Sequence, residues 1–127
     1  MSPVCLFSET VVQDSGFGPV VDLGEASNKP LLLTLSITRM MEEHTLCVTV
    51  WGSPDRVDWG SRPVAVLPNR YYCGEYQHLL DLSSYPAIRH LRLEYNFTGW
   101  GYDDRAKVSS FSLSASLAHD LVMAAAY

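Results

Sequence analysis

Hydrophobic and polar residues alternate along four stretches of the chain, at positions 31–38, 45–51, 90–97 and 110–117. In the last of them, serine fills every polar position. Successive side chains of a β-strand point to opposite faces, so an alternation with a period of two separates apolar from polar side chains. Each stretch is therefore predicted to be a strand with one face in a hydrophobic core and the other in water, a pattern that favours antiparallel pairing.

Shorter apolar stretches at positions 4–12, 20–23, 64–67 and 75–82 predict further strands. Segments rich in glycine, proline, serine and aspartate separate the strands, at 14–16, 24–30, 53–55, 68–69, 83–86 and 99–104. About eight strands with this spacing predict an all-β fold, an antiparallel β-sandwich or jelly roll. The core between its sheets is expected to contain Leu33, Leu35, Leu91, Leu93, Phe111 and Leu113.

The length of 127 residues fits one domain. Residues 1–116 are predicted to form a single sandwich domain, and residues 117–127 an apolar, alanine-rich tail. The tail could be a short C-terminal helix with Leu117, Leu121 and Ala125 on one stripe. It could pack on its own sandwich, dock on a second subunit or fray, and the sequence leaves these alternatives open.

The net charge is −5, from 9 basic and 14 acidic side chains, and no run of lysine and arginine occurs. A nucleic acid partner is therefore not expected. No apolar stretch approaches the ~18–20 residues that cross a bilayer, so no membrane partner is expected either. The first residues lack the pattern of a secretory signal, which predicts a cytoplasmic protein. Cys5, Cys47 and Cys73 are accordingly expected to be reduced and partly buried.

Recognisable catalytic patterns are missing from the sequence. It has no nucleophile elbow, no phosphate-binding loop and no histidine pair at metal-ligand spacing. Asp103 and Asp104 could offer oxygen ligands to a cation, although solvated turn residues explain them as well. Neither an enzyme nor a cofactor is therefore predicted, and a small hydrolase with two carboxylates is the weaker alternative.

Aromatic residues in or beside the predicted loops are the strongest candidates for a ligand or partner surface. They are Trp51, Trp59, Trp100 and Tyr102. Exposed rings can stack on a sugar or anchor a protein contact. The alternative is that Trp51 and Trp59 only cover one end of the core, with Asp55 in the turn that folds Trp59 back over the open end of the sandwich.

Positions 46–59 resemble the strand–turn–tryptophan segment of galactose-binding-like, discoidin-type β-sandwiches. Positions 81–82 and 88–93 are similar to a later strand of those domains, and phage structural proteins carry a similar pairing with a last strand like 110–117. The resemblance implies a β-sandwich, and a virion-associated location if the protein comes from a phage. The family's Asp-Gly is Asp55-Arg56 in this chain, and no ligand residue is carried over.

Two arginines of the resembling segment have opposite orientations. Arg89 and Arg92 are three positions apart, so they lie on opposite faces of one strand and one of them should be partly buried. A buried guanidinium needs a carboxylate or carbonyl partner. The candidates for that partner are Asp58 and Asp81.

The small size, the lack of a catalytic pattern, the serine-rich outer face and the apolar tail predict a non-catalytic domain for assembly or interaction. Its expected partner is a second copy of itself, in a homo-oligomer. The alternative is a carbohydrate-binding module that uses the loop aromatics.

Overall fold

The computed structural model describes residues 4–12, 15–24, 27–40, 44–99 and 109–117. These residues form nine β-strands and no α-helix. The strands are β1 (Val4–Val12), β2 (Gly16–Phe17), β3 (Val21–Asp22), β4 (Pro30–Met40), β5 (His44–Ser53), β6 (Ala65–Val66), β7 (Gly74–Asp81), β8 (His90–Gly99) and β9 (Ser109–Leu117). A 3-10 turn, Leu82–Ser84, follows β7. Within these ranges, no helix is long and apolar enough to cross a membrane.

The strands form two antiparallel sheets that pack face to face. Sheet A has the order β1-β9-β4-β7. In sheet B, β6 pairs with β5 and β5 pairs with β8, while β2 and β3 both pair with the other edge of β8. When β2 and β3 are counted as parts of one strand, this is the order of an eight-stranded jelly roll with two Greek keys. The predicted fold class is confirmed.

The four alternating stretches of the sequence form β4, β5, β8 and β9, and their apolar side chains fill the space between the sheets. The six residues predicted for the core are each at most 1% exposed. Phe7, Tyr95 and Phe111 form an aromatic cluster in this core, with ring centroids 4.8, 5.4 and 5.5 Å apart. Burial of this apolar surface is the main free-energy term that holds the two sheets together.

Strand β2 lies where the sequence predicts a breaker, at positions 14–16, and that prediction is wrong for Gly16. This residue pairs with Tyr95 of β8. A Cβ atom at Gly16 would lie 2.9 Å from the Tyr95 hydroxyl, and one at Gly18 would lie 2.9 Å from the Phe7 ring. The two glycines therefore let the backbone lie directly on the core, and the residue between them, Phe17, is left on the solvent side.

The outer faces of the two sheets differ in chemistry. In sheet B, Val50 and Leu93 are paired and buried, so the neighbouring pair Trp51 and Arg92 must point outward. In sheet A, the central outward positions carry small hydroxyl side chains. They are Thr34, Ser36, Ser112 and Ser114.

The three cysteines are unpaired. Cys47 is half-buried as predicted, but Cys5 and Cys73 are exposed, so the prediction of partly buried thiols is wrong for these two. Cys5 lies on the bulged edge strand β1, and Cys73 lies in the loop that precedes β7. The predicted helical tail starts at Leu117, which is the last residue of β9; residues 118–127 lie outside the described ranges.

Candidate binding face

Three aromatic and two charged side chains meet on the outer face of sheet B. The strand register sets Trp51 of β5 opposite Arg92 of β8, and Phe17 of β2 opposite Glu94 of β8. The loop that follows β5 adds Trp59, whose ring lies against Arg92. These five residues are called the aromatic face below.

Arg92 lies at the centre of the aromatic face and is half-buried, whereas Arg89 is exposed. The guanidinium carbon of Arg92 lies 4.5 Å from the centroid of the Phe17 ring and 4.6 Å from the centroid of the Trp59 ring. Cation–π contacts of this kind contribute roughly 0.5–2 kcal/mol each. The Nε atom is buried without a hydrogen-bond partner, and no carboxylate in the described part of the chain lies within ion-pair distance. Aromatic rings, rather than a carboxylate, therefore stabilise this charge.

The carboxylate partners predicted for the buried arginine are wrong. Asp58 accepts a hydrogen bond from the backbone N–H of Gly60, and Asp81 accepts one from the backbone N–H of Ser83, both at 3.0 Å. Both carboxylates stabilise local turns, because a short side chain reaches the backbone two residues on without ordering a distant partner. This leaves the guanidinium of Arg92 to its aromatic neighbours.

Glu94 places a hydrogen-bond acceptor beside the cation. Trp51 donates its Nε1–H to Oε1 of Glu94 at 3.2 Å, while the second carboxylate oxygen has no donor among the described residues. Arg92 and Glu94 are two positions apart on β8, so they share one face at a spacing of about 7 Å along the strand. The face thus offers one group that donates and one oxygen that accepts, between aromatic rings.

The loop that carries Trp59 is held by short-range hydrogen bonds. The hydroxyl of Ser53, a buried residue at the end of β5, accepts from the backbone N–H groups of Asp55 and Arg56 at 3.2 and 2.8 Å. The Asp55 carboxylate accepts from the backbone N–H groups two and three positions further on, at 2.9 and 2.8 Å. These backbone hydrogen bonds lower the pKa of Asp55 below its ordinary value. The predicted turn at Asp55 is confirmed.

The interpretation that Trp51 and Trp59 cover one end of the core is wrong. Trp51 points outward from β5, and the Trp59 ring lies against Arg92 on the same outer face. The loop folds Trp59 onto the sheet instead of over its open end, because the half-buried guanidinium offers the ring a contact there. The structure therefore brings these two predicted site residues together. Trp100, Tyr102, Asp103 and Asp104 lie outside the described residues.

Sequence reasoning missed three members of the aromatic face as site residues. The period of two already put Arg92 and Glu94 on the polar side of their strand, so their shared face was available as a signal. Phe17 gave no such signal, since it stands between two glycines beside a predicted breaker. Its place on the face follows from the pairing of β2 with β8.

The aromatic face is suited to binding by stacking and hydrogen bonding. Its rings present apolar surface, and its two charged groups add to a net charge of zero. No group of three or more potential metal ligands occurs in the part of the chain that the structure describes.

No family model matches the chain, and the comparisons with curated proteins and with solved structures found no match. The resemblance to discoidin-type sandwiches therefore stays a prediction.

Proposed function

We propose that this protein is a non-catalytic carbohydrate-binding domain and that the aromatic face holds the sugar. The observation that carries the proposal is the position of Arg92 against two rings, beside the Glu94 carboxylate; among the described residues, Arg92 has no carboxylate partner and one oxygen of Glu94 has no donor. A sugar ring has an apolar C–H surface that stacks on aromatic rings, and hydroxyl groups that both donate and accept hydrogen bonds.

The charges of the face favour a neutral sugar. One hydroxyl can accept from the Arg92 guanidinium while a neighbouring hydroxyl donates to Glu94. Hydrogen bonds to charged groups are about twice as strong as those between neutral groups. A charged ligand of either sign would gain little net attraction, because Arg92 and Glu94 carry opposite charges on the same face of β8.

The rings are held before any ligand arrives. Trp59 and Phe17 contact the Arg92 guanidinium, and Trp51 is hydrogen-bonded to Glu94. A ring already held in place loses little conformational freedom on binding, which favours affinity. Phe17 nevertheless keeps 53% of its surface exposed, so it offers area to a ligand. The resemblance to galactose-binding-like sandwiches supports the same ligand class.

A glycan array of neutral and acidic saccharides, followed by calorimetric titration of the tightest neutral binder, tests the proposal. Trp59→Ala is expected to weaken binding about tenfold or more, which corresponds to ~1.4 kcal/mol. The matched control is Tyr72→Ala, which removes a ring that is 78% exposed but lies outside the aromatic face. This control should bind like the wild type.

A second variant tests the polar half of the site. Glu94→Gln keeps the shape of the side chain and an oxygen for Trp51, but weakens the acceptor for a sugar hydroxyl, so affinity should fall with little loss of stability. The saccharide should be recovered unchanged after prolonged incubation. The proposal is wrong if no saccharide binds, if Trp59→Ala binds as tightly as the wild type, or if the bound saccharide is cleaved.

A second candidate function is self-association, as an assembly domain. The observation that favours it is separate from the aromatic face: β7 is a long edge strand of sheet A that pairs only with β4 among the described strands.

A further inference from the structure

The edges of the two sheets are protected unequally. Exposed strand edges can pair with other chains, and proteins blunt them with bulges, short strands, proline or charged side chains. Edge strand β1 has two register shifts, and β2, β3 and β6 are each two residues long. Strand β7 has eight residues in unbroken register with β4, it contains no proline, and its two charged residues, Glu75 and Asp81, lie near its ends. Among the described edges, β7 is thus the one ready to accept another strand.

The backbone hydrogen bonds between β4 and β7 show which residues of β7 direct their N–H and C=O groups to the open edge. The backbone N–H of Leu82 donates to the carbonyl of Lys29 at 3.2 Å, directly beyond the last β4–β7 pair. Backbone groups alternate in direction along an antiparallel strand, so the even-numbered residues of β7 bond to β4. The backbone groups of Glu75, Gln77 and Leu79 therefore point to the open edge.

The side chains of the same three residues lie on the outer face of sheet A. Leu79 is 59% exposed, and its directly opposite neighbour on β4 is Leu32, so the two leucines form an apolar pair beside the open edge. A second strand paired along this edge would satisfy the open backbone groups and cover the exposed leucine.

We infer that β7 pairs antiparallel with β7 of a second copy of this chain, with Leu79 opposite Leu79. The two sheets A would then form one continuous sheet across a twofold axis. The inference rests on self-association, the second candidate function, and is independent of the carbohydrate proposal, since β7 belongs to sheet A and the aromatic face to sheet B.

The charges along the edge select this register. A pairing centred on His78 would set Glu75 opposite Asp81 in both halves, and like charges directly opposite each other destabilise a sheet. A pairing centred on Gln77 would set Leu79 against Glu75. The pairing centred on Leu79 buries the two leucines against each other and sets Gln77 opposite Asp81, an amide donor against a carboxylate acceptor.

Sedimentation equilibrium over a range of protein concentrations, with the full chain, tests the surface. Leu79→Lys places two like charges at the twofold axis and should raise the dimer dissociation constant at least tenfold. The matched control, Thr34→Lys, adds the same charge to the outer face of sheet A on β4, one strand in from the open edge. This control should leave the dimer dissociation constant unchanged. If Thr34→Lys dissociates the dimer and Leu79→Lys does not, the two copies stack through the outer faces of sheet A, and the edge pairing is overturned.

Cross-linking tests the register, in a chain whose three native cysteines are replaced by serine. Directly opposite residues of an antiparallel pair have Cα atoms about 4.5–5.5 Å apart, within the range of a disulfide. Leu79→Cys should therefore oxidise to a disulfide-linked dimer, and Gln77→Cys, which faces Asp81 of the partner, should not. The opposite result would overturn the register.

A monomeric wild type at every concentration would overturn the inference and self-association together, and would leave the carbohydrate proposal untouched. If no saccharide binds but the wild type forms a dimer that Leu79→Lys dissociates, the carbohydrate proposal is overturned and the pairing of β7 is supported. The two results are therefore distinguishable.

Discussion

Arg56 occupies a backbone conformation that suits glycine. Its φ is 70°, in the left-handed region, within the loop that carries Trp59. A residue with a Cβ atom pays about 1–2 kcal/mol there, and glycine enters without strain.

Arg56→Gly is expected to raise the free energy of unfolding by about 0.5–1 kcal/mol, because the relief of strain exceeds the extra chain entropy that glycine loses on folding. Chemical denaturation followed by circular dichroism measures the change. Arg56→Ala is the control, since it keeps the Cβ atom and the strain. An equal gain from both variants would show that the arginine side chain, and not its φ, is responsible.

Asp55 makes the stability of the same loop depend on pH. Its backbone hydrogen bonds, first of all the one from the N–H of Asp58, lower its pKa below the ordinary value of 3.8. A carboxyl whose folded pKa is lowered stabilises the fold above the unfolded pKa, and this contribution is lost as the pH falls through the folded pKa. The urea midpoint of the wild type should therefore fall on acidification below about pH 4 more than that of Asp55→Asn. Equal acid sensitivity in both proteins would contradict this.

At the scale of single residues, the sequence predicts local contacts better than distant ones. The turn at Asp55 could be predicted because its partners lie within three positions of it. The neighbours of Arg92 could not be predicted, because Phe17 and Trp59 are remote from it in the chain. The sequence pointed to a carboxylate partner instead.

At the scale of elements, strand β9 shows how completely alternation sorts the two faces of a strand. Phe111, Leu113 and Ala115 are at most 1% exposed, and Ser112 and Ser114 lie between them on the outer face. Core and surface positions therefore stand side by side in one strand, which allows a matched pair of substitutions.

Leu113→Ala is expected to lower the free energy of unfolding by roughly 2–5 kcal/mol, because it removes buried methyl groups and leaves a cavity between the sheets. Ser112→Ala, one position away, should change it by less than about 0.5 kcal/mol. Equilibrium urea denaturation of both variants measures the difference. A large loss of stability in Ser112→Ala together with a small loss in Leu113→Ala would show that the inner and outer faces of β9 are assigned the wrong way round.

The long strands were predictable from their period, and the short strands β3 and β6 lie within the predicted stretches 20–23 and 64–67, whereas β2 was not predicted. The stretches at 31–38 and 110–117 lie within β4 and β9 because a period of two repeated four times has no other regular interpretation. The two-residue strands are too short to show a period. Gly16–Phe17 becomes a strand because β8 offers it a partner, and glycine lets it approach the core closely.

At the scale of the whole molecule, the jelly roll separates two surfaces of different chemistry. The aromatic face lies on the outer side of sheet B, and the open edge of β7 belongs to sheet A. The core of Leu33, Leu93 and Leu113 lies between the two sheets. A substitution on one surface therefore has no direct contact with the other, which makes the two proposals separable by experiment.

The all-β class, the faces of the long strands and the side chains of the core can be predicted from the amino-acid sequence alone, because they follow from the geometry of a single extended backbone. Which outward residues become neighbours depends on the pairing of the strands. Trp51 and Arg92 are neighbours because β5 pairs with β8, and Phe17 joins them because β2 pairs with the opposite edge of β8. Pairing between strands depends on chain topology, and no local pattern of hydrophobic and polar residues encodes it.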